Sequence, residues 1–142
     1  MAMSYGYVYV AQVGMGADKN QFLKAVAEAE AYDGPSLIIA YSPCINHGLK
    51  KGMGKTQENI KDAVASGYWH LYRDNPDLKE QGKNPFSLDQ KDPSQSFRDF
   101  IMGQTRYSAL ASEFPEEAES LFTGAESDAK SRLESYQKLA QD

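Results

Sequence analysis

The stretch "YGYVYVAQV", residues 5 to 13, carries no charge and is rich in β-branched and aromatic residues, the pattern of a strand buried on both faces, as in parallel sheets. After it, Asp18 is placed to cap a helix with Gln21 three residues on, a capping-box arrangement. Phe22, Leu23, Val26 and Ala27 form an apolar stripe, so the spacing predicts a helix over 19–32. "DGPS" breaks it, and the uncharged "LIIAYS" (37–42) predicts a second buried strand. The first 42 residues thus read as a βαβ unit with a right-handed crossover.

Further on, Thr56 is expected to cap a helix whose Ile60, Ala63 and Val64 face one way. Residues 68–76 alternate, with Tyr68, His70 and Tyr72 on one face and Trp69, Leu71 and Arg73 on the other, as a strand should. A turn-rich polar segment follows, with a short strand expected at Phe86 to Asp89. Ser94 and Ser96 precede the spaced series Phe97, Phe100 and Ile101, which predicts a helix, and three more helical pieces are expected after it. The fold class is α/β: a partial parallel sheet built on the βαβ unit, then a largely helical C-terminal tail. The boundary is expected near residue 75, giving regions 1–75 and 76–142. A doubly buried strand so near the first residue is peculiar, because a two-stranded parallel unit cannot cover its own edges.

Length and composition narrow the class. A chain of 142 residues, 41% hydrophobic and 25% charged, is globular in composition and has room for one compact core. Residues 1–75 balance 7 basic against 7 acidic side chains, whereas 76–142 carry 8 against 13, so the net charge of −5 comes wholly from the second half. An acidic chain with no basic block argues against nucleic acid as a partner. One cysteine allows no internal disulfide and no secretory signal is evident, which suits the cytoplasm. No apolar run approaches the length of a membrane helix, so no membrane association is expected.

The segment "YSPCINHGLKKGMGKTQEN" (41–59) concentrates the candidate chemistry. "GMGKT" lies between a strand and a helix, the setting of a phosphate-binding loop, but the glycine required five residues before Gly54 is Leu49, and Gly48 comes one residue too early. The "VGMGAD" segment offers Gly14 and Gly16, yet Lys19 stands where a dinucleotide fingerprint needs its third glycine. Cys44 and His47 could form a nucleophile and base, although no third orienting residue is evident and a buried structural cysteine is the better-supported reading. His70 reads as a satisfied core histidine. The tyrosines of residues 5–9 resemble base-stacking rings but lack a leading basic residue, which favours packing.

Three stretches taken together, "YGYVYVAQVGMGADKNQFLKAVAEAEAYDGPSLIIAYSPCINHGLKKGM", "GYWHLYRDNP" and "GKNPFSLDQKDP", resemble the C-terminal end of the pyruvate:ferredoxin (or flavodoxin) oxidoreductases. The resemblance implies that residues 1–75 close a thiamine-diphosphate-binding domain, with the strands missing from its sheet supplied by the rest of the parent polypeptide. It implies a long cytoplasmic homodimer that decarboxylates pyruvate to acetyl-CoA and CO2 with thiamine diphosphate and magnesium, and passes electrons through iron-sulfur clusters to ferredoxin or flavodoxin. In that family the cysteine of the "PCIN" segment is the sequence-distant fourth ligand of the 4Fe-4S cluster nearest the thiamine, and it matches Cys44. The other three thiolates lie upstream, no catalytic residue carries over, and the 142 residues alone are expected to bind no cofactor and to be inactive. Two alternatives stand beside this. A free-standing interaction domain would cap its sheet edges within the chain, and a Cys-His hydrolase would bring Cys44 and His47 into hydrogen-bond reach over a cleft.

Overall fold

A computed structural model describes residues 1–141. A 3₁₀ turn at Ala2–Tyr5 leads into strand β1 (Tyr9–Val13), helix α1 (Lys19–Ala31), strand β2 (Ser36–Ala40), a second 3₁₀ turn (Met53–Lys55) and helix α2 (Thr56–Ala65). Strand β3 (Tyr72–Asp74), helix α3 (Pro76–Glu80), strand β4 (Phe86–Leu88), helix α4 (Phe97–Met102), helix α5 (Thr105–Glu113) and helix α6 (Pro115–Leu139) complete it. No described helix is long and apolar enough to cross a membrane.

The βαβ unit forms as the pattern predicts. Asp18 accepts hydrogen bonds from the amides of Asn20 and Gln21, both at 2.9 Å, satisfying two of the donors that a helix start leaves open. β1 and β2 pair in parallel from Tyr9↔Ser36 to Val13↔Ala40. β1 begins at Tyr9 rather than residue 5, because Gly6 sits at φ 76° and turns the chain. Tyr5 and Tyr7 are therefore exposed and stack on each other, whereas Tyr9 is core.

The expected parallel pair β1–β2 is extended by two antiparallel strands into a mixed sheet of order β2-β1-β3-β4. α2 packs at the carboxyl end of β1, where Ile60 lies against Gly14, so the chain re-enters the sheet from that end and β3 runs antiparallel to β1. The predicted strand 68–76 shrinks to three residues, since Tyr68 and Trp69 are bound to the end of α2 by their amides. In return, β1 is buried on both faces. Tyr9, Ala11 and Val13 pack on Ala25 of α1, while Val10 faces Tyr72, Phe86 and Tyr136 of α6.

Two further expectations fail for lack of covering partners. β2 is expected to be buried, yet Leu37 and Ile39 remain 42% and 36% exposed because none of the described residues covers the outer edge of the sheet or that face of β2. The α1 stripe turns likewise: Gln21 and Ala25 are its buried residues, while Leu23 is 64% exposed. The helical half shows two helices after α4 instead of three, because the Ala118, Phe122, Ala129 and Leu133 face of α6 runs unbroken across Gly124. Ser96 caps α4 as its position suggests.

A buried ion cluster ties β3 to its neighbours. Arg73, 8% exposed, donates to Glu28 of α1 at 2.7 Å and to both oxygens of Asp89 at 2.8 Å. Tyr9 donates to Glu28 and Gln21 to Asp89. Burial and then Glu28 push the Tyr9 phenol well above its ordinary value, so it stays a donor. Removing one partner from such a cluster costs about 3–5 kcal/mol, because the remaining charge stays buried.

Candidate functional site

Cys44 lies in the loop that leaves the carboxyl end of β2. The expectation of a buried structural cysteine is overturned: the thiol is free and exposed. β2 runs along the sheet edge, so the loop beyond it emerges onto solvent rather than into a core.

Backbone bonds hold the loop in shape. The Gly48 amide donates to the Cys44 carbonyl at 3.1 Å, closing one turn. The segment leading into α5 then clamps it, with Lys50 N–H on Gly103 O at 3.1 Å, Thr105 N–H on Gly48 O at 3.3 Å, and an antiparallel bridge between Leu49 and Gln104. Gln104 is itself fixed by a buried bond to Asn59 of α2 at 2.8 Å. Gly48 has φ 64°, and a Cβ there would meet Thr105 Oγ1 at 2.9 Å, so the turn requires glycine on both counts.

The loop and α5 enclose a hollow of about 160 Å³ lined by Tyr41, Cys44, His47, Gln104 and Arg106 among others. Behind Tyr41 of its lining stands a group of aromatic rings. Tyr41 packs against Trp69 and Tyr68, with ring centroids 5.5 and 6.0 Å apart, and Trp69 Nε1 donates to Val13 O at 2.9 Å. Tyr68 and Tyr107 share a hydroxyl contact at 3.0 Å, and Arg106 donates to both oxygens, at 2.6 and 3.1 Å. Sequence reasoning passed over Arg106, since a single arginine in an acidic helical half carries no motif.

The other candidates disperse. Cys44 and His47 share the hollow, but no hydrogen bond joins them among the described residues, so the nucleophile–base pair is not assembled. Lys55 of the "GMGKT" segment pairs with Glu58 of its own helix at 3.2 Å. Thr56 is the first helical residue rather than the cap, and its hydroxyl donates back to Met53 O at 2.6 Å. His70 is buried as expected but not satisfied: its Nε2 has no hydrogen-bond partner among the described residues. No three His, Cys, Asp or Glu side chains among the described residues gather closely enough to hold a metal ion.

No family model matches the chain. The chain is 63% identical over 141 residues to the pyruvate:ferredoxin oxidoreductase of Moorella thermoacetica, covering 99% of this chain and 12% of that protein. It is 56% identical over 140 residues to the pyruvate-flavodoxin oxidoreductase of Klebsiella pneumoniae, with the same two shares, 99% and 12%. It is 44% identical over 139 residues to the mitochondrial pyruvate dehydrogenase (NADP+) of Euglena gracilis, covering 98% of this chain and 8% of that protein. Identity at this level over nearly every residue extends well beyond a shared fold: the chain matches, as a fragment, a segment of the pyruvate:ferredoxin and pyruvate-flavodoxin oxidoreductases and spans 12% of the length of those two relatives.

Proposed function

We propose that this chain is the C-terminal segment of a pyruvate:ferredoxin or pyruvate-flavodoxin oxidoreductase, that it closes the thiamine-diphosphate-binding domain, and that Cys44 supplies one thiolate to a 4Fe-4S cluster. The parent enzyme then converts pyruvate to acetyl-CoA and CO2 as a cytoplasmic homodimer, with ferredoxin or flavodoxin as electron acceptor. Thiamine diphosphate and magnesium bind residues outside this segment. The cluster supplies one-electron transfer once it is bound.

The observation that carries this reading is the Cys44 thiol itself. A cluster ligand must be reachable by an inorganic group while its backbone stays in place. Cys44 meets both demands, being exposed on a loop whose far side is clamped to α5. With a single cysteine, the chain provides one donor and the other three thiolates come from the remainder of the parent. The role of this chain's residues is to present the thiolate and shape the loop, through the glycine turn at Gly48 and the packing of Tyr41 on Tyr68 and Trp69.

The test is Cys44→Ala in the full-length oxidoreductase. Iron content should fall by one cluster's worth, and the low-temperature EPR signal of that cluster should vanish or change, while thiamine diphosphate binding persists. An unchanged iron complement with normal reduction would remove Cys44 from the ligand set. The 142-residue chain alone, given thiamine diphosphate, magnesium and CoA, should reduce no dye in response to pyruvate.

A further inference from the structure

Away from the Cys44 loop, the chain leaves a hollow of about 340 Å³ between the end of α2, the segment leading into α4, and α6. It shares no lining residue with the hollow at Cys44. Ser66, His70, Phe97, Ala129 and Leu133 line it and are all buried, so its floor is part of the packed interior. The walls are fixed. The amides of Ser94 and Gln95 both donate to Ala65 O, at 2.8 and 3.0 Å, and a Cβ on Gly67 would stand only 3.0 Å from Pro93 Cγ. An apolar floor of this size with a few convergent polar groups is the usual form of a small-molecule site.

The polar groups have capacity to spare. Ser66 Oγ donates to Ala63 O at 3.2 Å and can still accept, whereas Ser96 Oγ accepts from the Asp99 amide at 3.1 Å and can still donate. His70 is 2% exposed, and its Nε2 has no hydrogen-bond partner among the described residues. A buried polar atom without a partner is rare in a folded protein and calls for a reason. Nε2 is enclosed as the ring now stands, but no bond from it resists a turn of the ring towards the hollow.

Charge narrows the ligand. Glu126 and Lys130 at the mouth pair with each other at 2.9 Å, and no other residue lining the hollow carries a formal charge at neutral pH, since burial keeps the His70 imidazole neutral. An ion entering would lose hydration without gaining a free counter-charge. The second hollow beside His70 differs, because Asp128 and Arg132 line it and favour water there.

We propose that the first hollow is a binding site for an uncharged molecule of one or two rings bearing a hydroxyl, its ring on Phe97, Ala129 and Leu133 and its hydroxyl on the His70 imidazole. A hydroxyl both donates and accepts, so it suits either tautomer of a neutral imidazole. The site is independent of the role of Cys44.

The experiment is a ligand-observed fluorine NMR titration of the full-length oxidoreductase with para-fluorophenol and with fluorobenzene, which lacks the hydroxyl. The phenol should bind saturably and about tenfold more tightly than fluorobenzene, the worth of one hydrogen bond. Ala129→Leu, which fills the hollow, should abolish the response; Leu133→Phe replaces it if circular dichroism shows that the first variant is unfolded. His70→Phe should bind the two probes alike. No saturable response to the phenol would mean that the hollow holds water alone, and would overturn the proposal. An undiminished response in the filled variant would place the phenol elsewhere and overturn it too. Equal affinity of the two probes for the wild-type enzyme would remove the hydrogen bond to His70 on which the ligand class rests.

Discussion

At the scale of single residues, His70 is the buried group with most to lose from a change of pH. It is 2% exposed, its ring meets Tyr136 edge-on, and its Nε2 finds no partner among the described residues. Burial, and secondarily Arg132, lower its pKa to about 4. Arg132, Asp128, Glu126 and Lys130 of α6 line the hollows on either side of it. The unfolded chain takes up the proton near pH 6.5, well before the folded one does, so folding stability is fully present above that value and falls as pH drops from about 6.5 towards 4. The loss amounts to about 3 kcal/mol at the acid end. Denaturant unfolding of the chain and of His70→Gln at pH 7 and pH 4.5 checks it: the gap between the two proteins should change by that order, in favour of the variant at low pH. Equal pH slopes would show that another group titrates in this window.

At the scale of elements, α6 is the strap that makes that burial possible. Tyr136 lies 4.9 Å from the Tyr72 ring and 5.9 Å from the Phe86 ring, so one side chain covers β3, β4 and His70. Tyr136→Ala should cost about 2 kcal/mol, less than a fully buried aromatic truncation because the residue is half-buried. It should also raise the His70 pKa towards 6.5 by letting water in, which an NMR titration of the imidazole would detect; an unmoved pKa would mean that α6 does not desolvate the ring. None of this could be read from the chain beforehand, since nothing local to Tyr136 names its partners. β1, α1 and α4 were legible because their signals lie within a few residues: an uncharged β-branched run, Asp18 before its helix, Ser96 before Phe97. The direction of β3 was not, because it depends on where α2 docks. In the candidate site, Cys44 could be singled out as the lone cysteine and through the family pattern around it. Arg106 joins the hollow only because the Leu49–Gln104 bridge brings α5 to the loop.

At the scale of the whole molecule, hydrophobic pattern and exposure disagree in one place, and the disagreement is informative. "LIIAYS" has the composition of a strand covered on both faces, yet β2 stands at the sheet edge with Leu37 and Ile39 open on the side away from α1, while Leu23 and Val26 are open on α1. Under the proposed function, this pattern suits the parent enzyme, where further strands would continue the sheet beyond β2. The opposite edge is better protected, because α6 approaches β4 and Asn84 Nδ2 donates to Leu139 O at 2.7 Å. A free edge with apolar residues beside it is a template for pairing with another chain. The isolated chain should therefore self-associate through β2. Sedimentation across a concentration series should show dimers or larger species, with binding of a dye specific for exposed apolar surface. Ile39→Lys puts a charge on the open face and should move the population towards monomer without loss of helical circular dichroism, since Ile39 makes no contribution to the described core clusters. A wild-type chain that stays monomeric at high concentration and binds no dye would mean that the β2 edge is protected in solution, and would remove the open-edge argument for a missing sheet.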